Sequence, residues 1–206
     1  MKKIYCEMWK LAKPYYERGR QMDIDHIKWM MKDALIVCQK ENIDESILIP
    51  LVILHDIGYA EVPKDNPFNL SLRKAHMKAG AKVAKDILEK LNYPKNKTEK
   101  IIYFISVHDS WALSDNSVYV DPILAVFNDL DYMWTATPKG FPAAMKILSN
   151  TEKEMIEWLE NNDKLQLRPF STKTTKKLYF RYLQNRIKEA NSKINNSTAL
   201  LSKLQL

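Results

Sequence analysis

Four histidines are the residues of this sequence best suited to chemistry, and all of them lie within the first 108 positions. His55 is followed directly by Asp56, so an imidazole and a carboxylate occupy adjacent positions of the chain. Imidazole and carboxylate ligands without thiolates suit Fe, Mn, Ni, Co or Zn, and Mg²⁺ where oxygen ligands dominate. The two cysteines of the chain are too few for a thiolate metal cluster. The histidines are His26, His55, His76 and His108.

The segments that lead into several of these residues are apolar. Apolar runs precede His55, His108 and a further acidic residue, Asp129. Helices that belong to the core therefore carry these ionisable residues at their ends. A buried charge is costly unless a counter-charge or a metal compensates it. We expect these helix ends to converge on a cation. For His76 and His108 in particular, the alternative is a core histidine satisfied by hydrogen bonds.

Taken in order, these residues resemble the H…HD…D signature of the HD-domain metal-dependent phosphohydrolases. The segment Leu51–Gly58 is similar to the apolar-HDIG segment of that family, His76–Ala81 to its H-x-x-x-G-A helix, and Phe127–Asp131 to its D-A-D stretch. The resemblance covers about residues 20–135 of the chain. It implies a single-domain HD-type helical bundle that binds one or two divalent metals.

The resemblance also implies a ligand set. The first metal would be held by His26, His55, Asp56 and Asp129. His76 and His108 match two further histidines of the dinuclear branch, where they bind a second metal and the HD aspartate bridges the pair. A bridging hydroxide would attack phosphorus while the metals neutralise the developing charge. We therefore expect His55 and Asp56 to be the catalytic residues.

The last aspartate ligand has two candidates on one helix. Asp129 and Asp131 are two residues apart, which separates their directions by about 200°. Asp129 lies three residues after the apolar Val126, on the same helix face. We therefore predict that Asp129 binds the metal and that Asp131 orients or supports the site.

Basic residues beside His76 are the candidates for holding phosphate oxygens. These residues are Lys74, Arg73 and Lys78, and a solvated helix face is the alternative for them. Two aromatic residues near the site, Tyr59 and Trp111, would line a base-binding pocket or close the rim of the core.

Two positions depart from familiar branches of the family. Tyr59 stands where one branch carries Lys after HDIG, and Asp109 follows His108 where another carries a second histidine. The elements typical of cyclic di-GMP phosphodiesterases are also not evident. The substrates of those branches therefore do not transfer to this chain, and we expect Asp109 to support the site or to face solvent.

Helical periodicity extends over nearly the whole chain, so we predict an all-α fold. Only four of the 206 residues are glycine, and no glycine-rich phosphate loop is present. Gly58 is expected to end the helix that carries His55. Helices are predicted over Tyr5–Arg20, Asp25–Asn42, Asp44–Leu54, Ser71–Leu91, Asn96–His108, Asp121–Met133, from Thr137, over Thr151–Asn162 and over Lys173–Ala190.

The net charge of +7 lies entirely in the C-terminal segment. From Lys173 onward there are eight basic residues and one acidic residue, so the rest of the chain is neutral. We predict an HD-type domain over residues 1–170 and, over 171–206, a basic helical extension packed on the same domain. We expect the extension to be a helix whose basic face is solvated. The alternative is that this basic face binds nucleic acid.

The expected function is a cytoplasmic phosphohydrolase that cleaves a phosphate ester or anhydride of a phosphorylated small molecule, with a nucleotide as the expected substrate. No run is long enough to span a membrane, and a charge appears too early for a signal peptide. One alternative is a di-iron oxygenase similar to myo-inositol oxygenase, in which the same kinds of ligand activate oxygen. The other is a metal-bound regulatory or ligand-binding protein with little turnover.

Overall fold

The computed structural model describes residues 2–64 and 69–204, with side chains up to residue 193. Those residues contain α-helices and short 3-10 turns and no strand, which confirms the all-α prediction. Ten α-helices are numbered in chain order. They are α1 (Lys3–Arg18), α2 (Asp23–Glu41), α3 (Glu45–Leu54), α4 (Leu70–Lys90), α5 (Lys95–Val107), α6 (Pro122–Met133), α7 (Gly140–Leu148), α8 (Glu152–Asn161), α9 (Asp163–Leu167) and α10 (Lys173–Leu204).

The chain forms two compact units, residues 1–131 and residues 132–206. All the histidines belong to the first unit. Within the second unit, α10 packs against α8, where the Tyr179 hydroxyl donates a hydrogen bond to the Leu159 carbonyl at 2.5 Å. The division into a 1–170 domain and a 171–206 extension stays a prediction.

The apolar helix α3 lies at the centre of the first unit, with every residue from Ile47 to Leu54 buried. It begins after Asp44, the first residue of the predicted helix, whose carboxylate caps the helix by accepting a hydrogen bond from the Ser46 amide at 2.9 Å. Pro50 has no amide hydrogen, so it cannot bond to the carbonyl of Ser46 four residues earlier. That carbonyl instead accepts a hydrogen bond from the Tyr93 hydroxyl at 2.6 Å. The proline is therefore compatible with a continuous helix.

Several predicted helix ends shift in the structure. Pro14 lies inside a continuous α1, and α4 begins one residue earlier than predicted because the Asn69 side chain caps its amides. The helix predicted from Asn96 begins one residue earlier, since α5 starts at Lys95, and it has no side-chain cap. Between the predicted helices Asp44–Leu54 and Ser71–Leu91, residues 65–68 lie outside the described residues.

The basic helix α10 is amphipathic over its described side chains. Leu178, Tyr179 and Leu183 are buried, whereas Lys176 and Lys177 are exposed. The lysines of this stretch therefore lie on a solvated face. Among the described residues, no helix has the length and apolar character needed to cross a membrane.

Candidate metal centre

His55 and Asp56 lie where α3 ends, and a change of backbone direction lets both face one centre. His55 is the last residue on the helical path, while Asp56 has φ −96° and ψ 5° and begins a 3-10 turn over Ile57–Glu61. The Ile53 carbonyl in the final turn accepts a hydrogen bond from the buried Tyr16 hydroxyl at 2.7 Å. This hydrogen bond from α1 therefore fixes the position of the C-terminal end of α3.

Gly58 does not end the helix that carries His55, which corrects the sequence-based expectation: α3 ends at Leu54, and Gly58 lies in the following 3-10 turn, where it acts through its lack of a side chain. No described glycine has a positive φ. A Cβ on Gly58 would lie 2.9 Å from the Gly80 Cα and closer still to the His76 carbonyl oxygen. The turn after Asp56 therefore packs backbone against backbone on α4, which brings His76 to the centre.

One group of ligand-type atoms consists of Asp56, His76 and His108, all of them buried. The Oδ1 atom of Asp56 lies 3.5 Å from His76 Nε2 and 3.4 Å from His108 Nε2, and the two Nε2 atoms lie 3.3 Å apart. Ligands about 2.1 Å from a tetrahedral metal lie about 3.4 Å from one another. The spacing of these three atoms fits a single cation between them.

A second group consists of His26, His55 and Asp131. Asp131 Oδ1 lies 3.2 Å from His26 Nε2 and 3.9 Å from His55 Nε2. The other oxygen of Asp56, Oδ2, lies 3.4 Å from His55 Nε2. The two oxygens of Asp56 thus face two different histidine groups, which is the geometry of a bridging carboxylate.

Backbone carbonyls orient three of the four imidazole rings. The Nδ1 atoms of His55, His76 and His108 lie 3.1, 3.3 and 2.8 Å from carbonyl oxygens three or four residues earlier in their own helices. An Nδ1–H that donates to a carbonyl leaves Nε2 as the ligand atom. His55 Nε2 is buried and makes no hydrogen bond within the described structure. These donor atoms fit a metal.

The aspartate beside His26 and His55 is Asp131, so the choice of Asp129 is not supported by the geometry. Asp129 is buried but belongs to none of the groups of ligand-type atoms in the described structure. The sequence-based prediction takes the buried face of the helix from Val126, but α6 is buried nearly all round, so an apolar residue does not mark the face that carries the ligand. Phe127 marks it, because its ring centre lies 5.0 Å from that of His55 and Asp131 follows four residues later.

The protonation states of His55 and Asp131 depend on the charged groups beside them. Burial lowers the pKa of His55, but the neighbouring Asp56 carboxylate outweighs it and raises that pKa to about 9. Burial would raise the pKa of Asp131, but the neighbouring His26 imidazole, whose Nε2 lies 3.2 Å from Oδ1, holds the pKa below the ordinary value. Asp131 is therefore ionised, and a metal would replace a proton on His55.

Two residues that sequence reasoning missed are Arg20 and Asp23. Arg20 binds both oxygens of Asp23 at 2.9 Å and donates to Asp56 Oδ2 at 2.8 Å. Asp23, His26 and Asp56 also form a third group whose ligand-type atoms lie within 4.8 Å of one another. The i,i+3 spacing of Arg20 and Asp23 just before His26 was the available signal.

The chain repeats the His-Asp arrangement at the end of α5. His108 follows the last helical residue, and Asp109 has φ −101° and ψ 16°, close to the values of Asp56. Asp109, however, pairs with Arg73 Nη1 at 2.9 Å and accepts a hydrogen bond from the Trp111 ring nitrogen at 3.0 Å. Asp109 therefore supports the centre from the side of His76.

Of the three basic residues considered for phosphate binding, Arg73 has a contact that places it beside the centre. Its partner Asp109 has an oxygen 3.8 Å from His76 Nε2. Lys74 and Lys78 are exposed and lie two residues before and after His76 on a regular helix. Their directions therefore differ from that of His76 by about 200°.

Comparison with known proteins identifies the helical core. The HD domain family matches residues 23–124, which include the four histidines and Asp56 but end before Asp131. No curated protein and no solved structure matches the chain significantly. Members of this family are mostly metal-dependent phosphohydrolases, and buried His and Asp groups of the kind described above fit their divalent metals. The chain belongs to the HD-domain superfamily of metal-dependent phosphohydrolases.

Proposed function

We propose that this protein is a phosphohydrolase that uses two divalent metals to cleave a phosphate ester or anhydride, with a nucleotide as the expected substrate. The observation that carries the proposal is the position of Asp56 between two histidine groups, one on each carboxylate oxygen. Two cations bridged in this way would activate water and neutralise the charge of a phosphoryl group. His26, His55 and Asp131 would hold one cation with Asp56, and His76 and His108 the other.

The charge of the centre supports an anionic substrate. With all imidazoles neutral, as metal binding requires, the four carboxylates and two guanidinium groups in direct ion-pair contact with the centre or with one another leave an excess of two negative charges. Two divalent cations would turn this into an excess of two positive charges, before any hydroxide binds. That positive excess would attract a phosphoryl dianion. It would not attract a neutral polyol, which is the class of substrate expected for the oxygenase alternative.

The residues of the chain have distinct roles in this proposal. The carbonyl-bonded imidazoles of His55, His76 and His108 hold Nε2 toward the centre, so little reorganisation is needed on binding. Arg73 brings a guanidinium to the His76 side, where it would bind phosphoryl oxygens. Arg20 offsets the negative charge of Asp23 and Asp56.

A substrate screen tests the proposal. Metal-free protein should hydrolyse neither a nucleotide nor a generic aryl phosphate, and Mn²⁺, Co²⁺ or Ni²⁺ should restore hydrolysis. Phosphate release is the measurement, and the variant that replaces both His55 and Asp56 by Ala is the matched control. Oxygen consumption with a polyol, without phosphate release from any substrate, would instead support the di-iron oxygenase. Metal binding without turnover of either kind would support a regulatory protein.

A further inference from the structure

The aromatic ring of Tyr59 lies between two charged or ligand-type groups of the centre. The guanidinium carbon of Arg20 is 3.8 Å from the ring centre. The imidazole of His76 stacks on the same ring with a centre-to-centre distance of 4.0 Å and an interplanar angle of 10°. Two groups this close to one ring centre cannot share a face, so Arg20 and His76 lie on opposite faces of Tyr59.

This stack leaves neither face of Tyr59 for a nucleobase. The base-binding role considered from the sequence is therefore not the one that the geometry supports. The ring instead connects the two sides of the centre. Arg20 donates to Asp56 Oδ2 at 2.8 Å, the oxygen that faces His55, while His76 faces Asp56 Oδ1.

The backbone carbonyl beside His76 restrains its ring less than the corresponding carbonyls restrain His55 and His108. Its Nδ1 lies 3.3 Å from the Leu72 carbonyl, whereas the corresponding distances are 3.1 Å for His55 and 2.8 Å for His108. At 3.3 Å this is the longest of the three hydrogen bonds and lies at the weak end of the N–H···O range, so the carbonyl restrains the His76 ring least. Rotation about the last bond of a histidine side chain is broad, and a parallel ring at 4.0 Å restricts it.

The backbone holds Tyr59 in place for this role. Its amide donates to the Asp56 carbonyl at 3.1 Å within the 3-10 turn. The preceding Gly58 packs directly on the backbone of His76 and Gly80. Tyr59 thus sits on a turn that is fixed to Asp56 at one end and to α4 along its side.

We propose that Tyr59 is a positioning residue that sets the plane of the His76 ring for the second cation and, through Arg20, links that ring to Asp56. The inference rests on the proposed two-metal centre. Partners that orient a metal ligand commonly change metal affinity by about 10- to 100-fold when they are lost. Loss of the Tyr59 ring should therefore weaken the second metal equivalent and leave the first one bound.

The test compares three variants by calorimetric titration of the metal-free full chain with Mn²⁺. Tyr59→Phe keeps the ring and should bind two equivalents as the wild type does. Tyr59→Leu removes the ring and should bind the second equivalent at least about 10-fold more weakly. Tyr103→Leu is the matched control, because Tyr103 is 52% exposed and lies on α5 away from this stack. It should bind as the wild type does.

The outcomes separate the two proposals. If the wild type and Tyr59→Leu bind two equivalents with the same affinities, the positioning role is wrong and the two-metal centre stands. A wild type that binds fewer than two equivalents overturns both. If Tyr59→Leu does not fold by circular dichroism, Tyr59→Met, which keeps most of the volume without a planar ring, is read in its place. Failure of both variants to fold would assign Tyr59 to the fold and overturn the positioning role.

Discussion

The Nε2 atoms of His76 and His108 lie 3.3 Å apart, while the Nδ1 atom of each ring is directed at a backbone carbonyl. If both Nδ1 atoms carry the ring hydrogen, two lone pairs face each other across this gap. Such an arrangement is unfavourable unless a proton or a cation lies between them. With Asp56 Oδ1 within 3.5 Å of both nitrogens, the position suits a divalent cation.

The choice between the two aspartates of α6 can be tested directly. Asp131 lies beside His26 and His55, so Asp131→Asn should lower the metal content by about one equivalent and remove most turnover. Asp129→Asn is the matched control and should keep both equivalents. Elemental analysis of the two purified variants gives the answer. Loss of metal from the Asp129 variant alone would restore the sequence-based assignment.

Backbone contact at Gly58 should be essential for the site. Gly58→Ala places a methyl group against the backbone of His76 and Gly80, where neither neighbour can move easily. We expect a loss of about 3 kcal/mol or more in the free energy of unfolding, together with reduced metal content.

Gly80→Ala provides the contrast for that prediction. Its nearest contacts would be at 3.3 Å, from Gly58 N and from the His55 carbonyl oxygen. The better helix propensity of alanine, about 1 kcal/mol, should offset much of the crowding. Chemical denaturation of both variants measures the difference, and equal losses would argue against the close approach at Gly58.

Metal uptake should release protons. The pKa of His55 is raised to about 9, so in the metal-free protein the ring is protonated between its ordinary value near 6.5 and about pH 9. Coordination needs the neutral ring. Metal affinity should therefore rise as pH increases from about 6.5 to about 9 and level off above that.

Calorimetry in two buffers of different ionisation enthalpy counts the protons at pH 7.5. We expect at least one proton released for each protein molecule that is loaded with metal. The same raised pKa stabilises the metal-free fold below pH 6.5, and this contribution disappears as pH rises through about 9. An affinity that does not change between pH 6.5 and 9 would contradict this view of His55.

Arg73 should contribute to substrate binding more than its lysine neighbours do. Arg73→Gln should raise KM for a phosphorylated substrate about 10-fold, since a charge-assisted hydrogen bond contributes about 1.5 to 3 kcal/mol. Lys78→Gln is the control and should change KM by less than about twofold, because Lys78 is exposed and directed away from His76. Steady-state kinetics with an aryl phosphate compares them, and equal effects would remove Arg73 from the phosphate site.

The sequence predicted the helical fold and five ligand-type residues because those features depend on local pattern. His26, His55, Asp56, His76 and His108 each follow or interrupt an apolar helical stretch, and their order matches a family signature.

Contacts that depend on how the helices pack could not be predicted from the sequence. The hydrophobic pattern favours Asp129, but it does not identify the face of α6 that carries the ligand, because nearly all side chains of this helix are buried. Arg20 and Tyr59 lie 39 positions apart in the sequence and meet only because the turn after Asp56 packs near the end of α1. The role of Gly58 was visible as a residue type but not as a close backbone contact.

The most direct test of the two-metal centre is the metal stoichiometry of the wild type beside His108→Ala and the double variant His55→Ala with Asp56→Ala. After loading with Mn²⁺ and removal of free metal, elemental analysis should find two equivalents in the wild type. It should find about one in His108→Ala, which loses a ligand from one group only, and none in the double variant, which removes the shared carboxylate. A double variant that keeps the metal content of the wild type would contradict the assignment of this centre.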